Sequence, residues 1–228
     1  MKKVSSQLLP FISCLSVLIL LSCTQDLYEK GDGKYSYLRA DFAEAYVNAD
    51  KQVNRLVTDD NDELTLTKPY TADWIERADT TYRTAIYYNK LEKGAEALSI
   101  SRVTTLTLRS DSGALSKWAP DPVGMEATWV GRNCRYLNMG LVLKVGAVDK
   151  DATPQSVGML HGGITTNADS TRTINLLFNH HQGDVPEYYS QRFYMSVPLS
   201  GLDADSVRLT VVTYDGPFVR TFPLESGL

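Results

Sequence analysis

The sequence predicts an all-β protein built as two successive domains. Three observations carry that expectation. Thr, Val, Tyr and Ile are frequent, with 13 Tyr in 228 residues, and these are the residues that fit a pleated, half-buried surface. The apolar runs are short and are separated by Gly, Pro, Asp, Asn and Ser. No stretch sustains the 3.6-residue period of an amphipathic helix. The best helical candidate, Thr71 to Asp79 (TADWIERAD), is only about two turns long. With 43% hydrophobic and 22% charged residues, the chain has enough apolar material to fold. A formal net charge of -4 argues against a nucleic-acid partner, which calls for a basic face.

The elements are taken in chain order. Lys2 and Lys3 form a positive start, and Leu8 to Leu21 is apolar apart from Ser13, Ser16 and Pro10. That is the layout of a secretory signal, too short and too interrupted for a membrane span. It ends Leu20-Leu21-Ser22-Cys23, which resembles a bacterial lipobox. The expectation is a signal peptide over 1–22 and lipidation of Cys23, because two or more acyl chains anchor a protein stably where one does not. The competing reading is an uncleaved anchor helix with Cys23 an ordinary thiol. Thr24 gives no inner-membrane retention signal, so the expected address is the outer membrane, its periplasmic or its cell-surface face. Cleavage removes two Lys and no acid, so the mature chain is more acidic than the precursor. It also removes Cys14, and lipid takes Cys23. Cys134 is then left alone, with no internal disulfide to make, and reads as a small buried or half-buried residue.

Residues 23–34 read as the lipidated Cys and a polar tether. The first block, 35–110, has candidate strands at about 36–47, 51–58, 63–67, 81–90 and 95–108. Asp59-Asp60-Asn61-Asp62 lacks the glycine and the distal glutamate of an EF-hand and reads as a solvated hairpin turn. Leu64 and Leu66 share one face, and Val103 breaks the parity of Leu98, Ile100, Leu106 and Leu108, as at a bulge or bend. Five strands, with a short non-strand segment between the third and fourth, is the count of an OB-like β-barrel. Residues 111–124, rich in Ser, Asp, Gly and Pro around Trp118, read as a linker.

The second block, 125–228, has candidate strands at about 125–131, 136–146, 156–164, 172–180, 188–199, 206–213 and 217–224. Val207, Leu209 and Val211 alternate cleanly. Seven strands in a block of this size, without a helix, suggest an Ig-like β-sandwich. Pro198 and Pro223 remove ladder donors and belong at edges.

Four strings in this block, in order, resemble the NigD-like family of bacterial lipoproteins. They are Thr128-Trp129-Val130-Gly131 leading to Tyr136-Leu137-Asn138; His180 through Tyr189 (HHQGDVPEYY, with Val185 before Pro186); Tyr194 to Ser200 (YMSVPLS); and Asp205 to Leu209 (DSVRL). Nearly half the chain is covered. The resemblance implies an N-terminal OB-like domain and a C-terminal β-sandwich behind a lipid anchor. The family's name comes from a gene beside a bacteriocin, so the resemblance also carries a proposed immunity role. It brings no catalytic residues and no cofactor.

The residues themselves offer few catalytic patterns. There is no Gly-x-Ser-x-Gly, Walker or Rossmann string. His180 and His181 are adjacent on a strand and point to opposite faces. His181, Asp184 and Glu187, joined by His161 from a neighbouring strand, are the candidate metal ligands, and a hydrolase built on them is one possible function. The simpler reading of the same string is a polar hairpin with Gly183 in the turn. Tyr87-Tyr88, Tyr188-Tyr189 and Phe193-Tyr194 each put one ring inward and one outward on a strand, and outward rings suit a sugar or a protein contact. The leading expectation is a non-enzymatic envelope lipoprotein that binds a protein or glycan partner. An accessory subunit of an outer-membrane complex is the next.

Overall fold

The structure is a computed structural model that describes residues 38–224. The expected signal peptide (1–22), Cys23 and the tether to residue 34 lie outside the described residues. Strands dominate the remainder, with one short helix among the described residues.

The first five strands are β1 (Leu38–Val47), β2 (Val53–Thr58), β3 (Glu63–Tyr70), β4 (Thr80–Lys90) and β5 (Ala95–Arg102). They form a closed barrel in the order β1-β2-β3-β5-β4. β1 lies antiparallel to both β2 and β4, and a short parallel contact, Leu66 against Ala95, closes the ring between β3 and β5. Closure removes the unpaired edges that would otherwise template aggregation. The period-2 pattern sends Ala43, Ala45, Val47, Leu56, Leu64, Leu66, Ile86 and Tyr88 into one buried cluster. Gly94, at φ +90°, sits at the closing seam. A Cβ there would lie 2.4 Å from the Thr65 carbonyl oxygen, so only glycine fits.

The candidate helix at Thr71–Asp79 does not form; the segment is irregular. Its side chains plug the barrel instead. Ile75 is buried, and the Trp74 indole N–H and the Tyr70 hydroxyl both donate to the Ile100 carbonyl, each at 3.2 Å. A two-turn helix is marginal by itself, and these contacts outweigh it.

The expected fifth strand, 95–108, is also corrected. It breaks at Val103, where the parity breaks. Val103 is buried and its N–H donates to the Arg83 carbonyl (2.9 Å). The chain then leaves the barrel as β6 (Thr104–Thr105) and β7 (Leu108–Arg109), which pair in parallel with two later strands. Next come helix α1 (Ser112–Ser116), capped by the Asp111 carboxylate on the Ala114 N–H, and strands β8 (Gly124–Val130), β9 (Tyr136–Val145), β10 (Ser156–Thr166), β11 (Arg172–His181), β12 (Tyr189–Pro198), β13 (Ser206–Thr213) and β14 (Gly216–Pro223). These strands lie within two residues of their expected bounds. Within the stretch read as a linker, the Trp118 indole donates to the Phe178 carbonyl (3.2 Å) and Val123 is fully buried, while Asp111, Ser112, Gly113, Ser116 and Lys117 are exposed.

The later strands form two sheets, β14-β13-β11-β10-β7 and β6-β12-β9-β8. Leu137, Met139 and Leu141 of β9 share one apolar cluster with Ile174, Leu176 and Phe178 of β11 and Val207, Leu209 and Val211 of β13. The two sheets therefore enclose a single core. Tyr88 is buried and Tyr87 exposed, as the alternation requires. Tyr188 and Tyr189 are both exposed, against expectation, because β12 begins only at Tyr189.

Candidate functional site

The turn after β2 was expected to be solvated throughout. Asp60 is, but Asp59 is buried at 8% exposure. Its carboxylate accepts from both terminal nitrogens of Arg83 (2.7 and 2.6 Å), and Arg83 is itself only 5% exposed. On β4 the inward parity belongs to Tyr82, Ile86 and Tyr88, so Arg83 points out of the barrel, and the β6-β12-β9-β8 sheet covers it there. Asn138 of β9 accepts from Arg83 Nη2 (2.9 Å) and donates to Asp59 Oδ2 (2.9 Å). Ser196 of β12 accepts from Arg83 Nε (3.2 Å) and donates to Asn138 Oδ1 (2.7 Å). The guanidinium also lies 4.1 Å from the ring centre of Tyr136. The Tyr136 hydroxyl donates to Glu44 of β1 (2.9 Å), and burial together with that carboxylate pushes its pKa up to about 12.

Every polar arm of this cluster is satisfied, so a buried ion pair persists at the seam between barrel and sheet. Two of the four strings that carry the family resemblance, those holding Tyr136 and Asn138 and holding Ser196, contribute to it. Gly131 leaves room for Asp59: a Cβ there would lie 2.7 Å from the Asp59 Cβ. Asn138 completes the network, and Leu137 beside it fills the core. These motif residues hold the barrel and the sheet together at the seam.

A cleft of about 450 Å³ opens beside this seam. Phe42 of β1 supplies one wall, with Trp129 of β8 (ring centres 5.2 Å apart, 74° between planes) and Tyr194 of β12 (5.6 Å, 79°) against it. Such edge-on packing is the favoured aromatic geometry. Gly140 of β9 leaves room for the Tyr194 ring, which a Cβ there would meet at 3.2 Å. Tyr87 is exposed at the rim. The charged groups are Asp41, which accepts from the Tyr88 hydroxyl (2.7 Å), Asp59, held by Arg83, and Asp60, which is paired loosely with Arg132 at 3.4 Å. A wider depression of about 770 Å³ adjoins it, sharing Asp60, Trp129, Gly131 and Arg132. The turn carrying Arg132 is held to the barrel by the Asn133 N–H, which donates to the Asp59 carbonyl (3.0 Å).

The structure does not bring the candidate metal ligands together. His181 pairs with Ser156 on β10, and His161 stands five residues further along that strand, roughly 16 Å away. The His161 Nδ1 accepts from the Gly163 N–H, and the Asp184 carboxylate is occupied by the Thr153 N–H (2.8 Å). Glu187 lies exposed beyond the turn. No group of three or more His, Cys, Asp or Glu converges among the described residues. Cys134 is half-buried, and burial pushes its thiol pKa up, away from a nucleophile's range.

His180, by contrast, is buried at 1% exposure, between the Gln155 amide and the Asp121 carbonyl. Burial lowers its pKa, so in the folded protein it takes up a proton less readily than a free imidazole does. The unfolded chain takes up a proton as pH falls through about 6.5, and the folded chain does so only at lower pH. Stability is therefore full above that pH and declines below it. In urea unfolding, the wild type should lose more stability than His180→Gln as pH falls from about 6.5 to about 5.5. Equal slopes would remove His180 as the cause.

The geometry defines a class: an all-β protein whose closed five-stranded barrel is locked onto a two-sheet unit, with an aromatic cleft at the junction. Solved structures share that fold. A NigD-like immunity protein from Bacteroides caccae matches at 24% identity and TM-score 0.58, over 81% of this chain and 91% of that one. A protein from Parabacteroides distasonis, provisionally named toxin-related, matches at 17% identity and TM-score 0.63, over 83% and 94%. A Bacteroides fragilis protein, provisionally named a lipoprotein, matches at 10% and 0.56, over 84% and 99%. The similarity to NigD-like proteins read from the sequence thus extends to the fold. No protein-family model and no curated protein matches the chain.

Sequence reasoning missed Arg83, Asp59 and Phe42. The one available signal was an arginine in the middle of an otherwise Thr-, Tyr- and Ile-rich strand, TTYRTAIYY, where an outward position should be dispensable.

Proposed function

We propose that this chain is a non-enzymatic, NigD-like lipoprotein of the bacterial outer membrane, anchored through Cys23 after loss of residues 1–22, which binds a partner at the junction cleft. In this reading the barrel is OB-like and the two-sheet unit an Ig-like sandwich. The observation that carries it is the cleft itself. Its lining is aromatic, and its charged groups are held in pairs with neighbours instead of being poised as a nucleophile and base. Exposed aromatic surface of this kind marks a binding site. Protection against a secreted bacteriocin is the version of partner binding that the family resemblance brings.

The anchoring half is tested in intact cells by metabolic labelling with a palmitate analogue, followed by membrane fractionation. The wild type should take up label and sediment with the outer membrane. Cys23→Ala should lose the label and leave that fraction. Equal labelling of the two would remove the lipoprotein reading.

A further inference from the structure

We propose that the junction cleft binds a neutral oligosaccharide, a ligand class that deepens the partner-binding reading above and rests on it. Four features on the page point there.

The first is the arrangement of rings. Phe42 stands nearly perpendicular to both Trp129 and Tyr194, so neither is stacked face to face against it. Tyr87, 47% exposed, adds a further ring at the rim. Sugar rings present C–H groups on their flat faces, and these pack on aromatic surface without needing a charge.

The second is the polar complement. The Asp60 and Arg132 side chains are 57% and 84% exposed and sit 3.4 Å apart. Side by side they offer an acceptor and a forked donor, the set that a pair of neighbouring hydroxyls satisfies. An exposed pair this loose contributes little to folding. It is therefore free to exchange its partner for a ligand.

The third is charge. Asp41 and Asp60 disfavour an anionic ligand such as a phosphate or sulfate ester, and Arg132 offsets the pull on a cation. An uncharged, hydroxyl-rich ligand meets neither obstacle.

The fourth is shape. A cleft of about 450 Å³ that adjoins a second depression of about 770 Å³ takes a chain of ring-sized units. A typical protein interface is instead a broad patch of about 800 Å² on each partner. The site is also preformed, because the turn bearing Arg132 is bonded to the buried Asp59 segment. Little ordering is then required on binding.

The test is a titration of the purified full chain with tetrasaccharides of β-1,4-glucose, β-1,4-xylose and α-linked mannose, followed by tryptophan fluorescence and calorimetry. At least one should bind saturably, with Kd between about 10 μM and 1 mM. Trp129→Ala should weaken it at least about tenfold. Asp60→Ala and Arg132→Ala, both at exposed positions, should each weaken it about fivefold with an unchanged unfolding midpoint, and Trp118→Phe should not weaken it. Binding that is unaffected by the Asp60, Arg132 and Trp129 variants would overturn the assignment. So would absence of binding across the panel. If saccharides fail while a photo-crosslinker at position 87 captures a protein in intact cells, the saccharide class falls and partner binding at the cleft stands. If both fail, both readings fall.

Discussion

Arg83→Met should cost about 3–5 kcal/mol of unfolding free energy, the range for breaking one side of a buried ion pair. The loss goes beyond two hydrogen bonds. Asp59 would remain at 8% exposure with its cation gone, and Asn138 and Ser196 would each lose a donor. Methionine replaces much of the volume, so the change isolates the charge and its bonds from packing. Arg55→Met is the matched control, because Arg55 pairs with Glu63 at the surface, where both side chains are about half exposed. That variant should cost less than about 1 kcal/mol. Urea denaturation of the two variants beside the wild type reads both numbers. A loss below about 1 kcal/mol for Arg83→Met would mean that the cluster is incidental to stability.

Phe178→Ala should cost a similar amount, about 3–5 kcal/mol, for a different reason. Phe178 is 1% exposed on β11, at the centre of the core that both sheets share, with Met159 opposite it across the ladder. Its removal leaves a cavity among residues fixed by strand register, and such a site collapses poorly. No Cys pair staples this part of the chain, so the core carries the load. If the Arg83 network couples the barrel to the sheets, this distant substitution should also lower the midpoint seen by a barrel probe. A barrel that unfolds at its wild-type urea concentration in Phe178→Ala would show that the two parts are independent.

The strands of the two-sheet unit were legible because each is bounded by turn residues and alternates with period 2. Val207, Leu209 and Val211 show this cleanly, and all three are fully buried. The barrel's strands were legible for the same reason, up to Val103. Beyond it, the pattern gives no sign that Thr104 to Arg109 changes sheets, because parallel pairing with β12 and β10 depends on chain segments some 50–90 residues away. Thr71–Asp79 carries a weak helical pattern that the barrel mouth overrides by taking in Trp74 and Ile75. The site was the least legible part. Phe42, Trp129 and Tyr194 come from three strands, and only the seam brings their rings together. Asp59 looked like its three solvated neighbours in the turn, because burial of a carboxylate is decided by a partner 24 residues away. The His and carboxylate residues at 161, 181, 184 and 187 drew attention by type, and strand geometry kept His161 and His181 apart.

The central claim is that barrel and sheets form one cooperative body and so hold the cleft in shape. Single-tryptophan variants test it most directly. One keeps only Trp74, which packs against the barrel core, and the other only Trp118, bonded to β11. Urea unfolding followed by each tryptophan should give coincident midpoints, and both should move down together when Arg83→Met is added. Midpoints that separate in the presence of Arg83, with the barrel melting apart from the sheets, would contradict the account.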